Sequence, residues 1–167
     1  MIFAALTKNK GKIKNISLGE DCISTLQILK KLGVEVEFTS KRDLILDSSN
    51  GLKSDVEVVL DCGNSGTTIR LLSGLFSRCD FNCTLIGDNS LSKRPMKRII
   101  EPLSKMGAII ESNDNKLPLK IKGTKLSPIE YHSPIASAQV KSCLILAGLG
   151  TDGKTKIYEP KLSRNHS

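Results

Sequence analysis

Two glycines 74 residues apart, Gly33 and Gly107, each end an amphipathic segment and begin an apolar one. Before Gly33, Cys22, Ile23, Leu26, Leu29 and Leu32 recur at the spacing of one helix face, which predicts a helix over 21–32 with Asp21 as N-cap. Before Gly107, Met96, Ile99, Ile100, Leu103 and Met106 do the same, and Pro95 suits the first helical position. Each glycine opens a strand pattern, over 32–37 and 106–111, followed by a polar turn and a second strand over 44–46 and 117–121. Ahead of each helix the order also recurs. A small-residue helix end at 4–6 precedes a strand over 12–16, and one at 73–76 precedes a strand over 82–86. A third copy begins with a helix over 138–149 and a strand over 154–159.

A βαβαββ unit made about three times predicts an α/β (α+β) chain of quasi-equivalent units, 1–53, 54–124 and 125–167, with helices inside and sheets outward. The first copy lacks its leading strand and the third stops after its first half. Truncation at both ends is therefore expected.

Composition narrows the class of function. The chain carries 25 Lys and Arg against 17 Asp and Glu, a formal charge of +8, with 39 % apolar residues. This mixture suits a packed domain and excludes a disordered tail. The longest apolar runs, 1–6 and 144–149, fall far short of the roughly 20 residues of a membrane span. No basic segment precedes Met1-Ile2-Phe3 as a signal peptide requires, so a cytoplasmic location is expected. Aromatics are only 4 %, too few for base-stacking platforms, and the positive charge is scattered. A small anionic substrate accounts for the charge better than nucleic acid does. The five cysteines show no metal-ligand spacing and read as reduced, small apolar residues.

Four segments offer chemistry. Leu60 to Arg70 takes a hydrophobic strand through Gly63-Asn64-Ser65-Gly66 into a helix, leaving backbone N–H groups where an anion can dock; a plain tight turn capped by Asn64 fits equally. Gly87 to Met96 places Lys93 and Arg94 at an expected helix start. The macrodipole disfavours cations there unless an anion is bound, and the other reading is a solvated turn. Ser137-Ala138-Gln139 opens the helix to Leu149, with Ser137 serving at least as a cap. Leu162-Ser163-Arg164-Asn165-His166 occupies the matching place in the third copy. His132 and His166 have no Ser/Asp or Cys partner pattern, and no acid–base pair emerges.

Taken together, these segments resemble the 5-enolpyruvylshikimate-3-phosphate (EPSP) synthase family. Gly63-Asn64-Ser65-Gly66-Thr67 resembles its Gly-Asn-Ala/Ser-Gly-Thr motif, and Ser90-Leu91-Ser92-Lys93-Arg94-Pro95-Met96 its Ser-Leu-x-x-Arg-Pro-Met motif. Ser137 to Ser142, and Glu159-Pro160 with Leu162 to His166, resemble two more. Leu71 departs from the pattern, standing where many members carry proline. The resemblance implies the enolpyruvyl transferase fold, with this chain as most of the N-terminal half of a two-domain, monomeric enzyme. It implies transfer of the enolpyruvyl group of phosphoenolpyruvate to shikimate-3-phosphate, with no cofactor and no metal. It places Asn64, Gly66, Arg94 and Gln139 on the phosphoenolpyruvate side. Ser137, Ala138, Gln139, Ser163 and Arg164 fall on the shikimate-3-phosphate side. The family's acid–base lysine, aspartate and glutamate would lie outside this chain, leaving no catalytic residue within it. Three alternatives stay open: a UDP-sugar enolpyruvyl transferase of the same fold, a non-catalytic RNA- or anion-binding module of similar repeats, and an inactive, truncated gene product.

Overall fold

A computed structural model of the chain describes residues 1–161; Ser163, Arg164 and His166 lie outside the described residues. The order is α1 (Ile2–Leu6), β1 (Lys10–Ile13), α2 (Glu20–Lys31), β2 (Glu35–Phe38), β3 (Leu44–Asp47), β4 (Val58–Asp61), α3 (Gly66–Phe76) and β5 (Asn82–Ile86). It continues with α4 (Asn89–Ser92), α5 (Lys97–Lys105), β6 (Ile109–Asn113), β7 (Lys116–Lys122), β8 (Glu130–His132), α6 (Ala138–Gly148) and β9 (Lys156–Tyr158).

The strands form three sheets. The first is antiparallel, in the order β1-β3-β2. The second runs β4-β5-β7-β6, with β4 and β5 parallel and the remaining pairs antiparallel. In the third, β8 and β9 pair in parallel. Each βαβ crossover lays a helix on one sheet face, so strand residues alternate between core and solvent. In β7, Leu117, Leu119 and Ile121 are buried while Pro118, Lys120 and Lys122 are exposed. Helices inside and sheets outward is the arrangement found.

The repeat is legible in the helix ends. Gly33 and Gly107 sit at φ +90° and +92°, a left-handed conformation that glycine adopts at least cost. In the first copy Val34 N–H donates to Leu29 O at 3.1 Å and Gly33 N–H to Lys30 O at 3.1 Å. In the second, Ala108 N–H donates to Leu103 O at 3.0 Å and Gly107 N–H to Ser104 O at 2.9 Å. This is the same Schellman closure in both places.

Helix α3 is the hub. Ile69, Leu72, Leu75 and Phe76 are fully buried, each contributing about 1.5–3 kcal/mol. They join α5, α6 and the second sheet in one core, while α1, α2 and the first sheet share a second core. Where α3 meets α6 the backbones approach closely. A Cβ at Gly74 would collide with the Cys143 carbonyl. Two serine hydroxyls buried along α3 are satisfied by back-bonding, Ser73 Oγ to Ile69 O at 2.7 Å and Ser77 Oγ to Ser73 O at 2.8 Å.

Two predicted caps are displaced. Helix α2 begins one residue earlier than Asp21, at Glu20 behind Gly19, and α5 begins at Lys97 behind Met96 rather than at Pro95. In α2 two acidic residues, Glu20 and Asp21, then occupy the first turn and favour the N-terminal dipole. The cysteines behave as expected of reduced apolar residues. Cys62, Cys83 and Cys143 are buried, all five are free, and burial pushes these three thiols up to about 12 and Cys79 to about 11.

Candidate active site

Strand β4 delivers the chain to a turn stitched at both sides. Gly63 N–H donates to Asp61 Oδ1 at 2.8 Å, and Gly63 O accepts the Asp88 N–H at 2.9 Å. Ser65 then caps α3, its Oγ accepting Thr68 N–H at 2.9 Å. Thr68 Oγ1 donates to Asp21 O at 3.0 Å, locking this turn to α2. The start of α3 is thus held by two other segments before any ligand arrives.

Gly66 is where the cations meet. A Cβ built there would lie 2.7 Å from Arg70 Nη1 and 3.1 Å from Arg94 Nη1, so two guanidinium groups from different elements cover the same backbone position. Arg70 Nη1 donates to Gly66 O at 3.1 Å and to Gln139 Oε1 at 2.9 Å, and Gln139 Nε2 donates to Thr67 Oγ1 at 3.1 Å. Arg94 Nη2 donates to Asn64 Oδ1 at 2.8 Å and to Ser90 Oγ at 3.4 Å. These acceptors are neutral. Among the described residues neither arginine forms an ion pair with a carboxylate. Burial first, and then the Arg94 and Arg98 guanidiniums, lower the Arg70 pKa from its ordinary value. Like charges held together with no carboxylate bonded directly to either favour an anion between them.

Arg94 lies against Gly66, but not from the helix start that the sequence predicts. Lys93 caps the C-terminal end of the short helix α4, and α5 starts only at Lys97. Arg94 therefore does not sit at a helix N-terminus, and the dipole argument fails. Asn64 and Ser90 hold it instead. Arg70 was missed as a site residue because it reads as one more polar position on the helix after the glycine loop. The signal was its i+4 spacing from Gly66.

The start of α6 forms the neighbouring side. Ser137 caps it, with Oγ accepting Val140 N–H at 3.4 Å, and its own N–H donates to Glu159 Oε1 at 3.2 Å. Lys141 Nζ lies 2.7 Å from Glu159 Oε2, an ion pair whose carboxylate is 9 % exposed. Gln139 is thereby brought beside Gly66 and Arg70, while Ser137 and Ala138 stay half-buried at the helix mouth. Of the predicted residues, Asn64, Gly66, Arg94 and Gln139 converge through these contacts.

His132 stands apart, stacked on Tyr158 with ring centroids 4.5 Å apart. A cleft of about 540 Å³ between Leu6, Lys53, Arg78 and Phe81 holds none of the converging residues. Among the described residues no group of three or more His, Cys, Asp or Glu could hold a metal ion, and no helix is long and apolar enough to cross a membrane.

The chain and its fold have counterparts among known proteins. The family model of EPSP synthase (3-phosphoshikimate 1-carboxyvinyltransferase) matches residues 1–167. The chain belongs to the EPSP synthase family. It is 45 % identical over 170 residues to the 3-phosphoshikimate 1-carboxyvinyltransferase of Bacillus cytotoxicus, covering 100 % of this chain and 40 % of that protein. It is 49 % identical over 171 residues to that of Thermodesulfovibrio yellowstonii, again covering 100 % and 40 %. The solved EPSP synthase of Acinetobacter baumannii superposes with a TM-score of 0.93 at 40 % identity, covering 99 % of this chain and 38 % of that one. The chain thus spans about 40 % of the length of the curated relatives it matches. Within this EPSP synthase fold, Arg70 on α3 and Arg94 after α4 both lie against Gly66.

Proposed function

We propose that this chain supplies one wall of a 3-phosphoshikimate 1-carboxyvinyltransferase cleft. The observation that carries the reading is the convergence of Arg70 and Arg94 on Gly66 with Gln139 tied across them. Phosphoenolpyruvate, which bears a carboxylate and a phosphate, suits a site of paired guanidiniums to which no carboxylate is directly bonded. Arg94, Asn64, Gly66 and Gln139 take this substrate. Ser137, Ala138 and Gln139, with Ser163 and Arg164, take shikimate-3-phosphate. Gln139 reaches toward both because it stands at the head of α6 while bonded to α3.

In the reaction so proposed, the 5-hydroxyl of shikimate-3-phosphate adds to C2 of phosphoenolpyruvate while C3 takes a proton. The tetrahedral adduct then loses phosphate from C2 and a proton from C3, restoring the double bond as an enol ether. This chain binds and orients; holding the anionic ends rigid is a large part of what such a site contributes. We also infer units at 1–53, 54–124 and 125–167, a division supported by one sheet falling within each range.

An isotope-labelled chain titrated with each substrate tests the reading. Phosphoenolpyruvate is expected to shift the amide signals of Asn64 and Gly66, and shikimate-3-phosphate those of Ser137 and Ala138. Arg94→Ala is expected to weaken phosphoenolpyruvate by about 10-fold or more. Tight binding of an RNA oligonucleotide with steep salt dependence, and none of either substrate, would favour the nucleic-acid alternative.

A further inference from the structure

Asn64 has one carboxamide, and the structure uses both of its ends. Its Nδ2 donates to Asp88 Oδ2 at 2.6 Å, and its Oδ1 accepts from Arg94 Nη2 at 2.8 Å. An ionised carboxylate only accepts and a guanidinium only donates. A single orientation of the amide satisfies both neighbours.

Asp88 is itself pinned from two sides. Its Oδ1 accepts the Leu91 N–H at 2.7 Å as the cap of α4, and its own N–H donates to Gly63 O at 2.9 Å. The bonds from Asn64 first, and from Leu91 second, hold its pKa below the ordinary aspartate value. The acceptor end of the relay is therefore charged at neutral pH and anchored to the glycine turn. We propose that Asp88 is a positioning residue. Its carboxylate sets the orientation of the Asn64 amide, which presents an oxygen to Arg94 and aims that guanidinium at the anion site over Gly66. In this reading Asp88 acts through Asn64 and not on the substrate itself. The inference rests on the reading of that site as a phosphoenolpyruvate site.

The two carboxylate oxygens separate capping from relaying. In Asp88→Asn the remaining oxygen can keep the Leu91 cap, while an NH2 group replaces the acceptor facing Asn64. Asn64 must then turn its oxygen toward residue 88 and its NH2 toward Arg94, setting donor against donor. Arg94 keeps only the 3.4 Å contact to Ser90 Oγ. Simple electrostatics predicts the opposite result, since deleting a negative charge beside a cation strengthens anion binding. The sign of the change distinguishes the two.

The test compares the wild-type chain, Asp88→Asn, Asp88→Ser (which also caps a helix) and Arg94→Ala. Each is titrated with phosphoenolpyruvate by calorimetry, and the Arg94 guanidinium nitrogens are followed by NMR. Expected is binding weakened about 10-fold in both Asp88 variants, with melting temperature unchanged and faster rotation of the Arg94 guanidinium. Unchanged or tighter binding in the Asp88 variants, with binding lost in Arg94→Ala, overturns the relay. If the wild-type chain binds no phosphoenolpyruvate, the functional reading fails instead. The guanidinium rotation then judges the relay alone: slow in wild type and fast in Asp88→Asn supports it, equal rates overturn it.

Discussion

Arg70 Nη1 donates to Gln139 Oε1 at 2.9 Å, joining the starts of α3 and α6 through residues 69 positions apart. The same nitrogen donates to Gly66 O at 3.1 Å, so one guanidinium ties the glycine turn to the third sheet's helix. The proposed anion site depends on this helix docking, and substitutions that disturb the junction should affect it most.

Gly66→Ala should separate binding from stability. The new Cβ would meet Arg70 Nη1 at 2.7 Å and Arg94 Nη1 at 3.1 Å, both ends of flexible side chains that can move aside. Alanine is also the better helix former by up to about 1 kcal/mol. Melting temperature should hold or rise slightly, while affinity for phosphoenolpyruvate falls about 10-fold. Thermal melts beside a calorimetric titration check both halves.

Gly33→Ala and Gly107→Ala should cost similar amounts. Neither added Cβ meets an atom closer than 3.9 Å, so the penalty is that of a left-handed backbone, about 1–2 kcal/mol each. Urea unfolding of the two variants measures it. Costs differing by more than about 1 kcal/mol would show that the two Schellman closures are not energetically equivalent.

The thiols should be nearly inert in the folded chain. Cys62, Cys83 and Cys143 hold their protons to about 12 and Cys79 to about 11, because burial penalises the thiolate. At pH 8 a thiol-specific reagent should modify at most Cys22 quickly, and all five cysteines after denaturation. The ordinary thiol value is 9.0, so the unfolded chain loses these protons first. Stability should therefore decline as pH rises past about 9. Rapid modification of two or more thiols in the native chain would contradict the burial.

The 167 residues alone should release no phosphate from phosphoenolpyruvate and shikimate-3-phosphate. The converging residues are suited to binding and orienting, and general acid–base groups, each contributing about 10²- to 10⁴-fold, are lacking among them. A phosphate-release assay beside a full-length relative checks this. Turnover near the relative's rate would place the acid–base chemistry within this chain.

Local rules read along the chain determined much of this protein. Helix periodicity located α2 and α5, the apolar run from 138 located α6, and Gly33 and Gly107 marked the matching helix ends. The apolar residues of 117–121 marked β7 as a strand. The family's motifs singled out Asn64, Gly66, Arg94 and Gln139. All of these are signals within a few residues of one another, where spacing and side-chain type suffice. Tertiary structure alone decided what holds Arg94, and that Arg70 and Asp88 gather around it. Asn64 reaches Asp88 across 24 positions and Arg94 across 30, and Arg70 reaches Gln139 across 69. Such meetings depend on the parallel pairing of β4 with β5, which sets the turns after both strands side by side, and on α3 packing against α6 at Gly74. The dipole argument for Arg94 failed for the same reason. It used a helix boundary, a local quantity, to explain a contact that only the packing of distant segments creates.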